Sequence, residues 1–196
     1  MGDTRIVNGA DGAKYAVKVD SDNRLSVAAN VQNEEHFISS SQGLTFSVNS
    51  ADTADTLTTT ATGGCLLYAK NGHATKQLVV SGYRISSDTA GITSSITTEP
   101  TLGTIGNNNV HSPVNLNANS NNEAQGTFYN WNEVGNGMTG LSGGSKLETN
   151  ILAVGVNDLT FEDALILEPN ASICVNVHGA AEVTLSLRCF YMDKEA

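Results

Sequence analysis

Asp20-Ser21-Asp22-Asn23 opens like a calcium-binding loop. Such a loop supplies oxygen ligands from alternating positions, turns on a glycine and closes on a bidentate glutamate at its twelfth residue. The glycine is absent here and the twelfth residue is Val31. Turn chemistry remains, because Asx side chains bond back to their own backbone. Four histidines, His36, His73, His111 and His178, are the residues suited to a transition metal. None stands at ligand spacing from another histidine, a cysteine or a carboxylate. Only a three-fold axis contributing one histidine per subunit would gather them. Glu34-Glu35 and Glu162-Asp163 are paired carboxylates. Neighbours on a strand face opposite sides, so neither pair can work as acid and base on one strand. Gly135-Asn136-Gly137-Met138-Thr139-Gly140 and Gly140-Leu141-Ser142-Gly143-Gly144 match the letters of a dinucleotide fingerprint and of a nucleophile elbow. Both lie in a glycine-rich loop that leads into an expected strand, not into the helix that either motif needs, and no phosphate loop is present. No cofactor, metal site or catalytic residue is expected, and the chain does not read as an enzyme.

Two further groups carry chemical potential. Cys65, Cys174 and Cys189 are odd in number and not spaced like metal ligands. They read as free, buried thiols of a reducing compartment. Cys174 shares the parity of Asn176, which turns it away from the main core. Phe128, Tyr129 and Trp131 form the one aromatic cluster. Phe128 suits the core, while Tyr129 and Trp131 suit an edge or interface, or a platform for sugar rings.

These residues must be positioned by strands. Along 182–192, Val183, Leu185, Leu187, Cys189 and Tyr191 alternate with Thr184, Ser186 and Arg188. Period-two alternation is the mark of a half-buried antiparallel strand. Ile173, Val175 and Val177 repeat it, and the turn His178-Gly179-Ala180-Ala181 suggests a terminal hairpin. Leu44, Phe46 and Val48 alternate likewise. Residues 65–70 and 77–85 flank Asn71-Gly72, a hairpin signal because both positions tolerate positive φ. Strands are expected over 92–98, 126–131 and 146–154, a short β segment within 49–62, and a helical turn near 157–163. Residues 101–122 form a long polar connection, of the kind that carries function or reaches over a neighbour.

The N-terminal region stands apart. Residues 1–12 are polar and glycine-rich and read as an arm. Tyr15, Val17 and Val19, then Leu25, Val27, Ala29 and Val31, form a hairpin about the Asp20–Asn23 turn. An isolated hairpin is marginal in water, so its apolar face needs a partner surface. Residues 32–41 connect it to the remainder. The chain thus divides into an arm and hairpin over 1–31 and a sandwich over 32–196.

The 196 residues carry a formal net charge of -10, with only 15% charged residues. Soluble domains usually hold about 25%. Serine, threonine, asparagine and glycine take up the difference, which favours strands and turns over helices. Uncharged polar surface is also cheaper to cover with a neighbouring molecule than ions are. A nucleic-acid binder needs a basic footprint, and the ten lysines and arginines are scattered. An anionic membrane is disfavoured on the same ground. The N-terminal segment has no apolar region of a secretory signal, and no stretch approaches the roughly 18 apolar residues of a membrane span.

The segment LILEPNASICVNVHG followed by EVTLSLRCFYMD resembles the end of jelly-roll virion proteins of tailed bacteriophages. AKYAVKVDSDNRLSV resembles a short hairpin that precedes such domains in phage decoration proteins and other head or tail components. GCLLYAKN with KQLVVSGYRI resembles their core strand pair. The resemblance implies a jelly-roll-like antiparallel β-sandwich and a homotrimer that binds the major capsid protein or another virion protein. The implied role is a non-catalytic decoration (cement) protein of the virion, made in the host cytoplasm. A tail or baseplate component and a carbohydrate-binding β-sandwich module are the alternatives. Candidate interface residues are Tyr15, Val17, Val19, Leu25, Val27, Tyr129 and Trp131.

Overall fold

The structure is a computed structural model that describes residues 38–39, 41–50, 57–58, 64–101, 112–130 and 143–194. It also describes the backbone of four short N-terminal segments; for 57–58, 130 and 162–164 the description is likewise of the backbone. The chain divides into two compact units, Met1–Asn33 and Glu34–Ala196.

In the first unit β1 (Arg5–Val7) pairs antiparallel with β2 (Lys14–Ala16). β3 (Lys18–Val19) pairs with β4 (Leu25–Ser26), with Val19 opposite Leu25. The Asx-rich segment expected to turn between them lies outside the described residues. The segment read as an arm is corrected in part, because Arg5–Val7 is itself a paired strand. Arg5-Ile6-Val7 carries two β-branched residues, which favour extended backbone.

The second unit is an all-β sandwich. Its strands are β5 (Thr45–Asn49), β6 (Leu57–Thr58), β7 (Gly64–Asn71), β8 (Lys76–Ser87), β9 (Thr93–Thr98) and β10 (Val114–Asn115). Then follow β11 (Gly126–Asn130), β12 (Ser145–Ile151), β13 (Gly155–Leu167), β14 (Ser172–His178) and β15 (Glu182–Asp193). One sheet runs β10-β5-β15-β8-β13, with β6 also on β15; the other runs β11-β7-β14-β9-β12. Set aside the short β6, β10 and β11, and eight strands remain. The first pairs with the last, the second with the seventh, the third with the sixth and the fourth with the fifth, all antiparallel. A long two-stranded ribbon rolled over on itself gives this order, which is the jelly roll.

The roll corrects three local readings. Asn71-Gly72 does not close a hairpin, because β7 and β8 lie in opposite sheets. Asn71 is fully buried at this crossing. Its amide donates to the carbonyls of Lys76 and Leu167, both at 2.9 Å, and its oxygen accepts from the amide of His73. The same holds for β14 and β15, which face each other across the core rather than share a sheet. Gly179 has φ of 122° in their connection, where a Cβ would stand 2.5 Å from Ile92. The helical turn expected near 157–163 is strand β13. Pairing with β8 over this stretch overrides its polar, turn-like composition.

The core lies between the sheets. Phe46 and Val48 of β5 and Val183, Leu185, Leu187, Cys189 and Tyr191 of β15 are all 3% exposed or less, on the face their alternation assigns. Across from them sit Leu66, Ile96, Ile173, Val175 and Val177. Two hydroxyls tie the sheets. Tyr83 lies 3.1 Å from Ser94, and Tyr191 donates to the carbonyl of Gln125 at 2.5 Å.

Candidate functional site

Function must be sought on the outer faces and edges, because the interior of the roll is filled with side chains. The outer face of the six-stranded sheet carries a cavity of about 330 Å³. Its origin is a shift of register. β15 runs past β8 in step until Arg188 meets Gly82 and Cys189 meets Val80, so Ser81 has no opposite number. A bulge of this kind reverses the facing of residues beyond it. Leu78 and Val80 point into the core on one side of it, Tyr83 and Ile85 on the other.

The bulge puts Gly82 on the outer face between two neighbours, Thr160 on β13 and Arg188 on β15. The next rung holds Asp158, Arg84 and Ser186. Glycine is required in the middle, since a Cβ there would fall 2.3 Å from the carbonyl oxygen of Leu159. The backbone of β13 covers this glycine closely, and the polar side chains around it line the cavity. Arg84 grips Asp158 with two donors, Nε to Oδ1 at 2.6 Å and a terminal nitrogen to Oδ2 at 3.2 Å. That bond holds the Asp158 carboxyl below its ordinary range, with a further contribution from the charge of Arg188, and raises Arg84. Arg188 donates no hydrogen bond among the described residues, and its charge acts on Asp158. Ser81 contributes a buried hydroxyl that also lacks a hydrogen-bond partner.

The outer face of the five-stranded sheet is built differently. Val175 stands opposite Leu67 and Asn176 opposite Cys65, which leaves Leu66 unpaired. This second bulge puts Cys65 and Tyr68 on the same outer face although three positions separate them. Cys174 lies opposite Tyr68, and Cys65 and Cys174 form a disulfide with Cα atoms 6.0 Å apart. The expectation of three reduced thiols is thereby corrected: Cys189 alone is outside a disulfide, and it is buried. Cys174 does face away from the main core, packed with Cys65, Tyr68 and Tyr129. A separation of 109 residues offers no cue to the bond. It arises because the second and seventh strands of the roll are neighbours.

The aromatic cluster resolves into separate parts. Phe128 is in the core. Tyr129 lies opposite Tyr68, their rings stacked 5.9 Å apart at 28°. It also borders a depression of about 430 Å³ with Pro113 and Glu123. Trp131 lies outside the described residues, as do Val17 and Val27 and the side chains of Tyr15, Val19 and Leu25. Of the histidines, His73 accepts from the amides of Thr75 and Lys76 and packs on Tyr191. His178 ends β14 and is exposed. His36 and His111, the Glu34-Glu35 pair and the side chains of Glu162 and Asp163 lie outside the described residues. Among the described residues no three His, Cys, Asp or Glu side chains group to hold a metal. No helix of the described residues is long and apolar enough to cross a membrane.

The remaining feature is an apolar margin. β12 and β13 are the outermost strands of their sheets on the same side of the sandwich. Ile151, Val154 and Val156, at their connection, are 77%, 63% and 64% exposed, and Leu147 on β12 is 55% exposed. Sequence reading passed over both this margin and the Gly82 cavity. A glycine inside a strand pattern was the available signal for the cavity, because it marks a bulge or a close backbone approach.

No family model, curated protein or solved structure matches this chain.

Proposed function

We propose that the protein is a structural component of a virion, a non-catalytic decoration protein that binds an assembled phage capsid and reinforces it. The observation that carries this reading is the exposed apolar margin of Leu147, Ile151, Val154 and Val156 along the outermost strands of the roll. Contiguous apolar surface on a soluble domain marks an interaction site, and unpaired sheet edges invite a neighbouring chain. A second copy of the chain is the occupant assigned to this margin, in a closed homotrimer. The resemblance of the terminal strands to jelly-roll virion proteins of tailed phages, and of the N-terminal hairpin to phage decoration and other head or tail proteins, supports a virion role.

The Met1–Asn33 unit supplies a second docking element in this scheme. Its paired strands are only two or three residues long, well below what holds a hairpin alone in water. Contact with shell or neighbouring subunit would complete it. Binding to the assembled shell then stabilises that shell by mass action, and repeated copies multiply the effect.

The test is reconstitution. Particles stripped of this chain should lose resistance to heat or dilution, and added protein should restore it and co-sediment. Particles indifferent to its removal overturn the reading. Labelling confined to tails would move the protein from the head to the tail.

A further inference from the structure

We infer that copies of this chain join head to tail: the apolar link between β12 and β13 of one copy seats in the depression between β10 and β11 of the next. This rests on the reading that a second copy covers the apolar margin, and it names the surface which that copy presents. Among the described residues, the strongly exposed large apolar side chains fall on two edges of the sandwich. One group is the margin itself, joined by Ile166 of β13. The other is Val114 and Leu116 at β10, 57% and 46% exposed. β10 and β11 are outermost on one side of the two sheets, β13 and β12 on the other. A copy cannot bring its own opposite edges together, but two copies can.

The two edges are unlike in shape. Ile151-Leu152-Ala153-Val154-Gly155-Val156 carries no charge, so covering it desolvates no ion. The link is held rigid. The Asn157 side chain donates to the carbonyls of Ala153 and Gly155 and accepts from the amide of Ala153. Leu152 is anchored in the core and bonded to Ile92. Ile151, Val154 and Val156 thus project from a fixed frame, and little ordering entropy is lost when they are covered. The opposite edge is concave, with a depression of about 430 Å³. Pro113, Ala124, Phe128 and Tyr129 give it an apolar lining, and its lining residues Ser112, Glu123 and Gly126 are exposed, so it opens to solvent. Val114 follows Pro113 at its border. An apolar projection on one side and a pocket on the other make a heterologous contact, which closes a ring when the rotation allows. A margin paired with itself would give a two-fold dimer and leave Val114, Leu116 and the depression uncovered.

The experiment uses the full chain in sedimentation and cross-linking. Val154→Asp on the projection and Val114→Asp beside the depression should each weaken self-association by about tenfold or more. Both variants should stay folded, because both side chains are exposed. Cross-linking then reads the polarity of the contact. Val154→Cys and Val114→Cys are treated with a short bismaleimide, separately and after being mixed dilute and concentrated together. Covalent dimers should form in the mixture and not in either variant alone. Dimers of Val154→Cys with itself would overturn the inference while leaving a second copy on the margin. Undiminished association of Val114→Asp would do the same. A wild-type chain that stays monomeric at millimolar concentration would overturn both, and particle reconstitution would still decide the virion role separately.

Discussion

The two outer faces of the sandwich start from the same device and end as opposites. In each sheet a central strand is interrupted by a single residue without an opposite number, Ser81 in β8 and Leu66 in β7. On the six-stranded sheet the shift sets the buried Gly82 against the backbone of β13 and leaves a polar hollow lined by Arg84, Asp158 and Arg188. On the five-stranded sheet it gathers Cys65, Tyr68, Cys174 and Tyr129 into a closed apolar cluster. The lesson is that a bulge only re-aims side chains. What the re-aimed residues are decides whether the face keeps a polar hollow or locks two strands together.

Both faces depend on one core, so the largest effect should come from breaking it. Leu185 is 3% exposed in the middle of β15. Leu185→Asp buries an unpaired charge and should cost more than about 4 kcal/mol, a large share of the roughly 5–15 kcal/mol that holds such a domain folded. Soluble protein with an unchanged melting curve would contradict the face assignment on which the whole comparison stands.

Next in size is the locked face. Cys65→Ala with Cys174→Ala should destabilise the sandwich by about 2–5 kcal/mol, because the bond closes a long loop in the unfolded chain. Thiol titration in denaturant should find one reactive cysteine before reduction, Cys189, and three after it. Three before reduction would dissolve the contrast between the faces.

The core was legible because burial on one face enforces alternation. Phe46, Val48 and the five inward residues of β15 could be read directly from their spacing. Pairing was not legible. Asn71-Gly72 and His178–Ala181 carry ordinary turn chemistry, and nothing local says whether a turn returns to the same sheet or crosses to the other. That choice belongs to the rolled ribbon, whose partners lie far apart in sequence. Both outer sites were hidden for a related reason. Strict alternation puts Cys65 and Tyr68 on opposite faces, and only the pairing with β14 reveals the slip between them. Arg84, Asp158 and Arg188 likewise read as separate surface charges until register places them on adjacent rungs.

A smaller effect should appear at high pH, where the ties between the sheets titrate. Burial raises the phenol of Tyr191 above its ordinary value of 10.0, and burial raises Tyr83 as well. Below about pH 10 both folded and unfolded chains keep these protons, and the contribution is constant. As pH rises further the unfolded chain ionises first, so stability falls. Tyr191→Phe should lose about 1 kcal/mol at neutral pH, from the bond to Gln125, and should flatten the alkaline decline. A decline of the same steepness in the variant would mean that Tyr191 does not set it.

The smallest effect belongs to the open face, and it is informative because it is small. Arg84 and Asp158 are each 55% exposed, so water and salt screen their pairing. Asp158→Ala and Arg84→Ala should therefore leave the melting temperature nearly unchanged, in low salt and in high. The pair contributes little to holding β8 against β13, whose backbone ladder and apolar inner side chains already do so. What it does supply is a fixed orientation for the carboxylate beside Gly82 and Arg188. A melting temperature unmoved here, beside a large loss on removing the disulfide, would separate the open face from the locked one. A large fall in melting temperature would instead make Arg84–Asp158 a structural clamp, and the two faces would then differ in chemistry but not in role.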